Sequence, residues 1–232
     1  SVGKSLVSYV TGHAVCKGYI NGVDHRLNDW PLLENTLFYD QKLINLLNMA
    51  TGHQKYADFD LKTNKYHKNA NSNTVEFHLK KGVFKNSKKA KSKYQYTNFL
   101  SNLLINYVWF KSEGKFQDLL DEIFVEKAKI EHDAWFLKMN DRTIKMNNRN
   151  NSILKEYEVK DEDGPLRYSF RASRYDYLRI AKAMLDDWQN DTCVGKYLKT
   201  IRELRIPKND TWKDDNTHDL NSKSYAGKFH TN

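Results

Sequence analysis

Residues 5–20 read SLVSYVTGHAVCKGYI, a stretch rich in Val and Tyr and interrupted at Gly12. β-branched and aromatic residues suit a pleated, half-buried surface, and a glycine inside such a run marks a break, so the stretch is expected to form two short strands. Downstream, AWFLKM and RTIKM flank Asn140-Asp141, the composition of a hairpin, and a second hairpin is expected from Leu154 through Asp163-Gly164-Pro165 to Phe170. Residues 56–61 and 74–79 also read as extended. Strand regions joined by turn chemistry imply antiparallel pairing.

Helices are expected around these strands. Asp29-Trp30-Pro31 opens one, because proline loses no hydrogen bond in a first turn, and Leu33, Leu37, Ile44 and Leu47 give it an apolar side up to Met49. Phe116, Leu119, Leu120, Ile123 and Phe124 define an amphipathic helix over 116–129, and two more are expected over about 174–189 and 193–204. Residues 97–112 carry both periods: Phe99, Leu100, Leu103, Leu104 and Tyr107 have helical spacing, while residues 106–110 (NYVWF) would also make a strand. The 23 asparagines are read as turn formers. One domain spans 1–232, with a polar C-terminal tail over about 207–232. The fold class is α+β, antiparallel strands with packed helices.

The chain has 232 residues, 38 Lys+Arg against 29 Asp+Glu for a net charge of +9, and 13% aromatic residues. That aromatic content excludes a disordered chain. No apolar run is long enough for a transmembrane helix, and no secretory leader is visible. Two cysteines, Cys16 and Cys193, do not amount to a disulfide framework, which favours a reducing compartment. Seven lysines crowd residues 80–93 without one acid, and Tyr94 and Tyr96 follow. Phosphates and bases suit such a surface, although like-charge runs are commonly no more than solvated loops. Arg174, Tyr175 and Tyr177 form a second group able to stack a base and hold phosphate, against the commoner role of such aromatics in packing helices onto a sheet.

Catalytic and metal signals are sparse. Gly3-Lys4-Ser5 copies the end of a phosphate-binding loop but lacks the preceding strand and glycine. Asp58, Asp60, Glu76 and Lys80 resemble a metal-dependent nuclease set, with His78 where that set usually carries its acid. No His or Cys pair has zinc spacing, and no serine sits in a G-x-S-x-G setting. From the residues alone no catalytic residue and no metal ligand is assigned.

Three short matches lie in order after residue 141: Arg142-Thr143-Ile144-Lys145-Met146, then Asp163-Gly164 leading to Tyr168-Ser169 and Tyr175-Asp176-Tyr177, then Asp219-Leu220-Asn221-Ser222-Lys223-Ser224-Tyr225-Ala226 ending in Thr231-Asn232. This part of the chain, a little over a third of it, resembles the polyhedrins of cypoviruses. The resemblance implies an antiparallel β-sandwich core with packed α-helices, and homotrimers packed into a crystal lattice in the host cell cytoplasm. It further implies embedded virus particles and bound nucleoside triphosphates (ATP, GTP or CTP), with no enzyme activity and no membrane partner. The nucleotide candidates are Lys88, Lys89, Lys91, Tyr94 and Tyr96, or Arg174, Tyr175 and Tyr177. Alkaline release would follow from 14 Tyr and 29 Lys, since near pH 10.4 the net charge swings from +9 to roughly −15. The alternative is a basic nucleic-acid-binding protein, or a metal-dependent nuclease using Asp58, Asp60, Glu76 and Lys80.

Overall fold

A computed structural model describes residues 2–51, 94, 96–138, 166–208 and 222–231. The first element overturns the reading of residues 5–20. Residues 5–16 belong to α1 (Val2–Cys16), a helix in which every residue from Leu6 to Ala14 is buried, and residues 17–20 form the turn that follows it. A helix covered on all sides needs no polar face, so the 3.6-residue period is absent and the Val and Tyr content imitates strands. Gly12 does not break α1. A β-carbon there would stand 2.6 Å from the Tyr197 ring, so the glycine admits that ring against the helix.

The expected helix over 32–49 is shorter than its apolar pattern. A 3-10 turn, Pro31–Leu33, is followed by loops and then α2 (Leu43–Leu47), while Asn35 and Asp40 take left-handed backbone at φ 60° and 58°. Of the expected apolar side Leu33, Leu37 and Leu47 are buried and Ile44 is half-buried, so the apolar pattern recorded burial rather than a continuous helix. The ambiguous segment is α3 (Asn98–Lys111), capped by the Thr97 hydroxyl accepting from the Phe99 N–H. Residues 116–129 form α4 (Phe116–Leu120), which widens into a π-type turn over Asp121–Lys127, and the five apolar residues expected inward are all buried. The last two helices stand where the sequence placed them, as α5 (Arg174–Gln189) and α6 (Cys193–Glu203).

Among the described residues the strands make two small antiparallel sheets, and this corrects the expected β-sandwich. β1 (Trp135–Lys138) pairs with β2 (Leu166–Arg171), aligning Phe136 with Phe170. β3 (Ile206–Pro207), β4 (Ser224–Ala226) and β5 (Phe229–Thr231) form the second sheet, so the expected polar tail ends in a hairpin. The sheets pack on helices, β2 on α1 and α3 and β4 on α6, rather than face to face. The hairpin partner expected for β1, the RTIKM segment, lies outside the described residues, as do the extended segments 56–61 and 74–79.

Cys16 and Cys193 form a disulfide with Cα atoms 5.9 Å apart, which removes the cysteine argument for a reducing compartment. It ties the last residue of α1 to the first of α6 across a sequence separation of 177. In the chain-entropy account a closure of that length contributes about 5 kcal/mol. Reduction, or the double change Cys16→Ser with Cys193→Ser, is therefore expected to lower unfolding free energy by several kcal/mol. Denaturant melts with and without dithiothreitol check this, and coincident melts would contradict it.

Candidate functional site

α1 carries Lys4 into the interior one turn after it starts, and the side chain is 3% exposed. Its ammonium group donates to Asn98 Oδ1 at 2.7 Å and sits 4.5 Å from the Tyr96 ring centroid and 4.0 Å from that of Tyr168. No carboxylate pairs with it among the described residues. Each neighbour is placed by a distinct element. Asn98 opens α3, Tyr96 lies just before the Thr97 cap, and Tyr168 is mid-strand in β2. Gly3 is required beside this group, because a β-carbon there would stand 2.2 Å from the Tyr168 carbonyl oxygen. Burial without an opposite charge lowers the Lys4 amine from 10.5 to about 8, so a fraction of it is an unprotonated base near neutral pH.

A second lysine closes the far side. Lys228 lies in the β4–β5 turn at φ 76°, fully covered, its ammonium donating to the Leu46 carbonyl at 2.7 Å. Its own carbonyl accepts from Ser5 Oγ at 3.2 Å, one residue from Lys4. Burial first, and the Lys4 charge second, push its amine well below the ordinary lysine value.

Two buried carboxylates, Asp187 and Asp176, and one exposed carboxylate, Asp29, form clusters with structural geometry. Asp187 accepts from Tyr9 at 2.6 Å, Thr192 at 2.7 Å and Lys127 at 2.6 Å, joining α1, the π-type turn and both ends of the α5–α6 connection. Burial pushes its carboxyl up, but those donors prevail and hold it below the usual range. Asp176 accepts from the Glu131 and His132 N–H groups, Ser173 Oγ and Arg179. Ser173, His132 and Asp176 do not make a nucleophile triad: one nitrogen, His132 Nδ1, faces both Asp176 and Ser173, whereas a triad uses opposite ring nitrogens. Asp29 accepts from Tyr107 at 2.7 Å and Lys111 at 2.6 Å, pinning the 3-10 region to α3.

The nucleotide candidates scatter. Lys88, Lys89 and Lys91 lie outside the described residues, as do Asp58, Asp60, Glu76 and Lys80. Tyr94 is buried against Tyr225, with ring centroids 5.0 Å apart. Tyr175 is 70% exposed at the start of α5 beside exposed Arg174, while the Tyr177 hydroxyl donates to the Phe170 carbonyl. Tyr96 alone of these joins a cluster with chemistry, that of Lys4. Lys4, Asn98 and Tyr168 were not assigned from sequence. One signal was present: Ser1-Val2-Gly3-Lys4 has S-x-x-K spacing, in a different frame from the Gly3-Lys4-Ser5 considered above.

Neither a protein-family model nor a curated protein matches the sequence. Solved structures do. A class C β-lactamase from Rhodobacter sphaeroides superposes with a TM-score of 0.51 at 13% identity, covering 87% of this chain and 55% of that one. An octameric penicillin-binding protein homologue from Pyrococcus abyssi gives a TM-score of 0.49 at 16% identity, covering 86% and 47%. The described fold is thus like that of a class C β-lactamase, and the chain spans about half that protein's length.

The buried amines and phenols set a pH dependence. Between about 8 and 10.5 the unfolded chain holds a proton on Lys4 that the folded chain has released, so stability rises with pH by at most about 3 kcal/mol. Lys228 acts in the same direction. Burial raises the phenols of Tyr9, Tyr107 and Tyr197, so above pH 10 only the unfolded chain ionises there and stability falls. His13, its Nε2 buried without a hydrogen-bond partner among the described residues, is pulled down to about 3 by burial and then by Lys127, so stability is lost as pH falls from 6.5. Urea melts across pH 5–11 are expected to peak near pH 10, with a smaller rise above pH 8 in Lys4→Met. A flat profile, or an unaltered rise in the variant, would contradict the buried amine.

Proposed function

We propose that the chain carries a serine acyl-transfer site in which Ser1 is the nucleophile, Lys4 its base, and Tyr96 and Asn98 the groups that position the amine and pass its proton on. The observation that carries this reading is the buried Lys4 amine, held by an amide oxygen and two tyrosine rings with no carboxylate among the described residues, three residues after a serine. Penicillin-binding proteins and class A β-lactamases use S-x-x-K with an S-D-N element. Tyr96-Thr97-Asn98 has the same spacing as that second element, with tyrosine in the serine position, and the likeness to a β-lactamase fold supports the comparison. Ser1 itself lies outside the described residues, so its role rests on its place immediately before α1. Lys-Thr-Gly, the third element, occurs nowhere in the 232 residues, and the proposal is confined to nucleophile and proton transfer.

The chemistry runs in two balanced halves. Ser1 Oγ attacks the carbonyl carbon of an ester or amide while the neutral Lys4 amine accepts the hydroxyl proton. The tetrahedral adduct collapses, the bond to the leaving alcohol or amine breaks, and the proton passes from Lys4 through the Tyr96 phenol to that leaving group. Water then attacks the acyl-serine, its proton returning by the same groups to Ser1 Oγ, and a carboxylic acid departs. A lowered amine suits this role, since a base works best with its pKa near working pH.

The occlusion-body matrix reading is a separate proposal, supported by the short matches after residue 141 alone. The acyl-transfer site is tested with a fluorophosphonate, which phosphonylates a serine oxygen with loss of fluoride. Labelling is expected on the peptide carrying Ser1, with a rate that climbs through about pH 8 as Lys4 loses its proton. Ser1→Ala and Lys4→Met should each abolish it. An unlabelled native chain, or undiminished labelling in Ser1→Ala, would overturn the proposal.

A further inference from the structure

Asn98, Asn102 and Asn106 stand four residues apart on α3, so they share one side of the helix. Asn98 holds Lys4. The other two meet the backbone of β2. Asn106 is bonded in both directions to Leu166, accepting its N–H at 2.9 Å and donating to its carbonyl at 2.8 Å. Asn102 Oδ1 accepts the Tyr168 N–H at 2.9 Å. Residues two apart on a strand point their peptide groups to the same edge, and β1 already occupies the other edge of β2. Among the described residues, two helix amides therefore occupy the edge of β2 where a neighbouring strand would pair.

We infer that Asn102 is a positioning residue for Lys4: by holding the Tyr168 peptide it fixes the Tyr168 ring over the amine and keeps water from it. The inference rests on the acyl-transfer reading for its consequence and on the geometry for its substance. Asn102 is itself 6% exposed, so without its oxygen the Tyr168 N–H loses a buried acceptor, and β2 is released to withdraw toward water. Withdrawal lifts the ring, which lies 4.0 Å from Lys4 Nζ. The ring has two opposed effects, attraction of the ammonium charge and exclusion of water. The second prevails, since the amine is depressed rather than raised. The other titratable groups around Lys4 are Tyr96 ahead of α3, Lys228 in the β4–β5 turn, and His230 of β5, whose ring lies 6.4 Å from that of Tyr96. None is held by Asn102.

The test is a pH titration of the lysine 13Cε resonances, with Lys4 assigned by its loss in Lys4→Met. This readout needs no acylation, so failure of the catalytic proposal leaves it interpretable. In Asn102→Leu the Lys4 midpoint is expected to rise from about 8 by about one unit, as water returns. Tyr168→Ala should move it the same way, Tyr168→Phe should not, and Asn106→Leu should lower the melting temperature while leaving the midpoint in place. An unmoved midpoint in Asn102→Leu, or in Tyr168→Ala should the first variant not fold, would overturn the inference. An equal shift in Asn106→Leu would do so too, because it would mean general loosening.

Discussion

The burial of α1 on every side from Leu6 to Ala14 is the constraint on which the structure turns. A helix with no wet side must find a partner for every polar group it carries, and α1 brings Lys4, Ser8, Thr11 and His13 inside. Ser8 meets the Tyr197 hydroxyl at 3.2 Å and Thr11 bonds back to the Val7 carbonyl, both neutral solutions. Lys4 cannot be settled that way. An ammonium in the interior without a carboxylate sheds its proton more readily, and that turns a packing problem into a base.

The far end of the same helix is clamped by unlike means. Tyr9 donates to Asp187, which also collects Thr192 and Lys127, and directly beyond Cys16 the chain turns away at Lys17 and Gly18. The disulfide to Cys193 and the Thr192 bond to Asp187 act on adjacent residues at the start of α6, so α1 is tied to the α5–α6 corner by a covalent link and a buried carboxylate together. Fixing the C-terminal half of α1 leaves its N-terminal turn with one orientation, toward α3 and β2. The position of Lys4 is thus a consequence of contacts made at Tyr9 and Cys16, farther along the same helix.

Some of this was legible in the sequence. The inward residues of α4 and the limits of α5 and α6 followed from apolar spacing, because those helices keep a solvent side. α1 did not and α3 stayed ambiguous, since burial on all sides blurs the period and lets Val, Tyr and aromatic residues suggest strands. The β-sandwich came from short matches after residue 141, and the two small sheets found instead pack against helices that those matches do not cover. Asparagines were read as turn residues, yet Asn98, Asn102 and Asn106 are helical and bond to a lysine and a strand, a role visible only once α3 is known to be a helix. The cysteine pair defeated sequence reasoning because a link across 177 residues leaves no local signal.

The central claim is that Ser1 and Lys4 act as one acylating unit. Stopped-flow mixing with p-nitrophenyl acetate near pH 8 tests it most directly, followed by mass mapping of the quenched chain. The account predicts a rapid burst of one nitrophenolate per chain and one acetyl group on the peptide containing Ser1. Release without a burst, or an acetyl group found on Lys4 with Ser1 unmodified, would contradict it.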